Sequence, residues 1–183
     1  ATAGQTVELI ADATGAGLKI NKDITIDFGG FVYTINQAVG SSGTESQGFQ
    51  LLKEATEVTL QNGTVEVKDG AHVVWMINDY SAKLNVTNVI FNCEHMDLPN
   101  NGDASNVYFL VANNAHNQNP AVTLTDVEVN NFGSDFGSPY FMEPNTTIKS
   151  ADANLDIEVD PGYRLVYDAT QQTYSVEKLI AHF

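Results

Sequence analysis

Apolar residues alternate with small polar ones in short runs that recur along the chain. Ile24-Thr-Ile26-Asp-Phe28-Gly is followed by Val58-Thr-Leu60-Gln-Asn62-Gly, Leu84-Asn-Val86-Thr-Asn88-Val and Val122-Thr-Leu124-Thr-Asp126-Val. A period of two marks strands with one buried face. In the last three copies the fifth position is Asn or Asp. Alternation then resumes through Val65/Val67, Val89/Phe91 and Val127/Val129. Val, Ile, Thr, Tyr and Phe dominate the apolar segments, and alternation outweighs the helical period in almost every window. Residues 6–13 fit either a helical turn or a strand before Gly15 and Gly17 interrupt them.

A strand unit repeated at intervals within about 20–50 residues predicts a solenoid whose coils carry loops of unequal length. The expected fold is all-β: a right-handed parallel β-helix with irregular loop excursions and a C-terminal β-hairpin cap. An antiparallel sandwich is the alternative. Asn62, Asn88 and Asp126 favour the helix, because these residue types tolerate left-handed backbone angles and can stack at one corner of successive coils. Asn62-Gly63 is also a hairpin signal, so a corner and a hairpin compete there. The expected layout is an N-terminal cap or docking segment at 1–21, the β-helix at 22–160 and the hairpin cap at 161–183, all in one domain. A flatter fifth copy is placed at Leu155, Ile157 and Val159. Residues 49–52, 73–77 and 107–111 are more continuously apolar, as expected for strands in a parallel sheet.

Composition narrows the functional classes. The net charge is -15, from 23 acidic and 8 basic residues. Such a chain is repelled by phosphate backbones, so no nucleic-acid partner is expected. No apolar run approaches the roughly 20 residues that span a bilayer, so no membrane partner is expected. No basic-then-apolar segment opens at Ala1. Cys93 is the single cysteine and falls in a strand pattern, where it reads as a small buried hydrophobe.

The stretch Lys22-Asp-Ile-Thr-Ile-Asp-Phe-Gly-Gly-Phe-Val-Tyr-Thr-Ile35, the block Val39-Gly-Ser-Ser-Gly-Thr-Glu-Ser-Gln-Gly-Phe-Gln-Leu-Leu-Lys53 and the piece Val58-Thr-Leu-Gln-Asn-Gly-Thr64 resemble a family of β-helical proteins of phages and prophages, described as head fibre or capsid decoration proteins. Thr6-Val-Glu-Leu-Ile10 and Asp12-Ala-Thr-Gly-Ala-Gly-Leu-Lys19 extend the resemblance, which is clearest over residues 1–65. It implies a non-enzymatic virion structural protein on the outside of a capsid, aiding attachment to host or mucosal surfaces. The implied partners are a capsid or other virion protein and sister chains, a trimer by analogy with fibres. It implies no catalytic residues.

Catalytic constellations are sparse. Arg164 is the single arginine, and a groove for uronate polymers on so acidic a surface is electrostatically disfavoured. Glu45, Asp97, Asp103, Asp135 and Glu143 lie in predicted excursions without the paired arrangement a glycosidase needs. His72, His95, His116 and His182 lack ligand spacing, although Glu94, His95 and Asp97 form a local cluster. Asp152, Asn154, Asp156, Glu158 and Asp160 alternate, so on a straight strand they form a row instead of enclosing an ion. Ser41, Ser42 and Ser46 lack a nucleophile elbow. A Cys93/His95 dyad would need both side chains on one face of a strand. No catalytic, cofactor-binding or metal residue is therefore assigned, and no cofactor is expected. The candidate interface is aromatic: Phe132, Phe136, Tyr140 and Phe141, with Trp75 and Tyr80. The alternative reading is a glycan-binding or polysaccharide-degrading tailspike-like module, or a bacterial surface adhesin, which moves the expected location from the virion surface to the bacterial exterior.

Overall fold

The computed structural model describes residues 1–41, 43–52, 57–80, 83–97 and 106–181. These form an all-β structure in which the chain makes repeated passes through two sheets. The first pass lays down β1 (Gln5–Glu8), β2 (Ala13–Ala16) and β3 (Leu18–Ile20). The second lays down β4 (Ile24–Asp27), β5 (Val32–Gln37) and β6 (Gln47–Leu51). In the next three the first two strands are fused: β7 (Glu57–Val67) with β8 (Trp75–Asp79), β9 (Lys83–Asn92) with β10 (Tyr108–Ala112), and β11 (Ala121–Asn130) with β12 (Tyr140–Met142). A shortened pass gives β13 (Thr147–Lys149) and β14 (Ile157–Val159), and the chain ends in the hairpin β15 (Tyr163–Asp168) and β16 (Thr173–Lys178).

In each pass the last strand joins the second sheet, ordered β14-β12-β10-β8-β6-β3, and the others join the first. Pairing between passes is parallel. Antiparallel contacts among the described residues are confined to β16 on β13, the hairpin itself and a bridge between Val39 and Gln47. The structure is therefore not an antiparallel sandwich.

Register explains the sequence repeat. Ile24, Val58, Leu84, Val122 and Ile148 are successive partners in one row. Val7, Ile26, Leu60, Val86 and Leu124 form the next inward row. Val58, Leu60, Leu84 and Val86 are fully buried. Removing such side chains from water contributes about 1.5–3 kcal/mol each. The second sheet closes the core from the other side, where Phe91 meets Phe109 edge-on at 4.8 Å and Phe109 meets Tyr140 at 5.5 Å.

Asn62-Gly63 is a corner and not a hairpin. The strand β7 continues through it, pairing with β4 before the bend and with β5 after it. Asn62, Asn88 and Asp126 hold φ of 60°, 54° and 52°, the left-handed conformation expected of them. Asn88 Nδ2 donates to Asn62 Oδ1 at 3.3 Å, and Asn62 Nδ2 donates to Asp27 Oδ2 at 3.1 Å. Gly63 follows because the passes touch there: a Cβ at this position would lie 2.4 Å from Phe28 Cβ and 2.7 Å from the Phe31 carbonyl.

One local expectation changes, and one open choice is resolved. The fifth copy of the first-sheet unit is Thr147–Lys149, not the run starting at Leu155. Ile157 and Val159 do form a strand, but it pairs with Tyr140 and Met142 in the second sheet. Alternation identified a strand without specifying its sheet. Gln5–Glu8, which overlaps the ambiguous stretch 6–13, is a strand, and β1, β2 and β3 pair in register with the second pass.

Candidate functional site

Five of the six aromatic candidates fall in three places. Trp75 and Phe141 flank Tyr108 on the second sheet, with ring centroids 6.4 and 5.4 Å from the tyrosine ring. Phe132 and Phe136 meet edge-on at 5.6 Å around a short 3-10 turn at Ser134–Phe136, and both pack against the core. Tyr80 is half-buried against the His116 ring at 5.0 Å. Tyr140 is a correction: it is buried and belongs to the core. It opens β12 opposite Leu110, and its ring meets that of Phe109 edge-on. Tyr108 completes the aromatic stripe. Its place in a continuously apolar strand gave no sign of this, because only its register opposite Trp75 brings the two together.

Polar contacts fix the stripe. Trp75 Nε1 donates to the Asn106 carbonyl at 3.3 Å, Asn106 Nδ2 to the Tyr108 hydroxyl at 3.1 Å, and that hydroxyl to Glu158 Oε2 at 2.9 Å. Burial, and then the bond and charge of Glu158, push the Tyr108 pKa upward, so its hydroxyl stays a neutral donor. The arrangement presents the half-buried faces of Trp75 and Phe141, on either side of the buried Tyr108, beside the exposed carboxylate of Glu158.

The acidic row at 152–160 does not converge. Asp152 Oδ1 accepts from the Asn154 amide, Asp156 Oδ1 from Ser138 Oγ at 2.7 Å, and Glu158 from Tyr108. Among the described residues no group of three or more His, Cys, Asp or Glu side chains is placed to hold a metal ion. Asp97 faces His72 across 3.5 Å. Glu45 accepts from the Gly43 amide and closes its own turn, while Glu143 accepts from the Asn114 amide and burial raises its pKa. Cys93 is buried, and burial pushes its thiol up to about 12, far from a nucleophile's range. Ser42, Lys53, Asp103 and His182 lie outside the described residues.

The N-terminal end is the other distinctive surface. Nothing among the described residues pairs with the outer edge of β1, whose four residues are all exposed. Behind that edge, Val7, Leu9 and Leu18 open onto Ile24, Ile26 and Phe28 around a cavity of ≈ 320 Å³. Val7 is 41% exposed, and Ile10 nearby is 87% exposed. Inward rows fully covered in the middle passes thus emerge uncovered here. No protein-family model matches the sequence, and no curated protein or solved structure matches it significantly.

Proposed function

We propose that this chain is a non-enzymatic attachment rod, a short right-handed parallel β-helix that decorates a phage capsid as a decoration or head-fibre protein. The hand follows from the general rule that parallel strands of one sheet are joined by right-handed crossovers in about 98% of cases. The observation that carries the docking role is the apolar opening at the first pass. A solenoid end that leaves its interior rows uncovered calls for a cap or a partner. The phage setting rests on the resemblance of residues 1–65, and the partner is then a capsid or other virion protein. Sister chains assembled as a homo-oligomer, a trimer by analogy with fibres, fit the same role. The location is the virion surface.

The test is co-sedimentation of the purified chain with capsids, alongside cryo-electron microscopy of the particle. The wild type is expected to sediment with capsids, and Val7→Asp to lose this while keeping its unfolding midpoint, because Val7 is already 41% exposed. Sedimentation by neither protein removes the docking role, and release of reducing ends from a polysaccharide panel removes the non-enzymatic one.

The Trp75-Tyr108-Phe141 stripe favours a second reading, a glycan-binding adhesin. Aromatic faces with a fixed polar neighbour suit the apolar face of a sugar ring. Capture on a glycan array that Trp75→Ala abolishes supports it, whereas a silent array removes it.

A further inference from the structure

The sixth pass is incomplete in a specific place. In the pass before it, β11 covers β9 from Lys83 to Asn92 on both sides of the corner. In the sixth, β13 covers β11 only over Ala121–Thr123, after which the chain leaves the sheet toward Leu155. Among the described residues no strand lies on β11 beyond Thr123 on that side. The second half of a rung is missing.

The interior rows record the gap. Val65 and Phe91 are fully buried, but the next residue in their row, Val129, is half-exposed. Val89 is fully buried and its partner Val127 is half-exposed. The Asn130 carbonyl accepts from the Cys93 amide of the preceding pass. Because backbone groups alternate along a strand, those of Val129 and Val127 point the other way, to the open edge. Beside this edge is a groove of ≈ 350 Å³ whose lining includes Leu124, Val127, Tyr140 and Leu155. Its charged residues are Asp126, Asp152 and Lys149, and the exposed Glu128 stands on the neighbouring strand surface.

We propose that the second half of β11 is a strand-addition site for an extended segment of a partner protein, apolar at alternate positions and basic between them. Main-chain bonds to the edge groups of Val127 and Val129 would extend the existing ladder. The partner's apolar side chains would cover the two half-exposed valines, and its basic ones would face Asp126, Glu128 and Asp152. A sister chain is a poor occupant of this acidic edge because its 8 basic residues are outnumbered by 23 acidic ones. The site is at the opposite end from the proposed capsid-docking opening and does not depend on the phage reading.

The probe is an acetylated heptapeptide alternating Lys and Val, compared with a composition-matched peptide in which the three valines are consecutive. Titration into the full chain, followed by amide hydrogen exchange, is expected to protect the Val127 and Val129 amides with the alternating peptide only. Glu128→Lys should weaken that peptide by about threefold and favour a Glu/Val counterpart, as exposed ion pairs allow. Val129→Pro, which deletes an edge donor, should abolish binding. If it fails to fold, the Glu128→Lys charge swap still decides. Equal binding of the two peptides, protection elsewhere, or concentration-dependent protection of the same amides without peptide, which would make the occupant a sister chain, overturns the proposal.

Discussion

Asn88 donates its side-chain amide to the Asn62 carbonyl oxygen of the preceding pass at 3.3 Å, and both residues hold positive φ. The corner is thus held by a contact between passes as well as by local backbone preference. The two contributions separate by substitution. Asn88→Gly removes the side-chain bond but keeps a residue suited to φ of 54°. Asn88→Ala also removes the bond but keeps a Cβ in the left-handed region, at roughly 1–2 kcal/mol, without the local side-chain bonding that lets Asn tolerate it. Urea unfolding should therefore rank wild type above Gly and Gly above Ala. A ranking of Ala above Gly would show that the left-handed corner is not retained in solution.

Much of the first sheet was legible from sequence because side-chain rows and sequence rows coincide. Leu60, Val86 and Leu124 occupy the same place in three motifs and are register partners in space. The corner residues were legible because few residue types accept positive φ. The second sheet was harder to read. β6 and β10 are buried at every position, so Tyr108 carries no alternation to say which way it faces, and cross-strand register alone places it beside Trp75. Leu155 misled for a related reason: the shortened pass keeps the strand rhythm but moves it to the other sheet. The open β11 edge was invisible because Val127 and Val129 read like their buried counterparts, and their exposure depends on a strand that does not follow.

Acid should loosen the corner through Asp27. Gln61 Nε2 donates to its carboxylate at 2.7 Å and is the main cause of a lowered pKa, followed by the Gly29 amide at 2.9 Å, with Asn62 contributing least. The folded pKa lies below the ordinary 3.8, so the unfolded chain binds more protons between the two values. The stabilisation is present above pH 3.8 and is lost as pH falls through the folded value. Asp27→Asn should reduce the slope of stability against pH in that window and leave it unchanged near neutrality. An unaltered acid slope in the variant would show that Asp27 is not a linked group.

Cys93 should behave as a reporter of global unfolding. Its thiol is buried and pushed up from 9.0 to about 12. A thiol reagent at pH 8 is expected to leave the folded chain unlabelled and to modify it completely in denaturant, because thiolate is the reacting form. The same shift makes the fold hold its proton where the unfolded chain has lost it. Stability should therefore decline as pH rises from about 9 towards 12, and Cys93→Ala should show a shallower alkaline decline. Rapid labelling in native buffer would place Cys93 in a locally open segment.

The contact between Phe91 and Phe109 offers the sharpest test that the two sheets share one core. Their rings meet edge-on at 4.8 Å, both are fully buried, and they come from different sheets of the same pass. Truncating either to Ala should cost about 3–5 kcal/mol, since the surrounding rows fill the cavity only in part. If the aromatic contact itself contributes, the double variant should cost less than the two single losses together, with a coupling of about 0.5–1.5 kcal/mol. Chemical unfolding of wild type, both single variants and the double variant supplies the full cycle. Where a double truncation leaves too little stability to measure, Phe91→Leu and Phe109→Leu complete the same cycle at lower cost. Strict additivity in both cycles would mean that the rings do not touch in solution and that the sheets pack elsewhere.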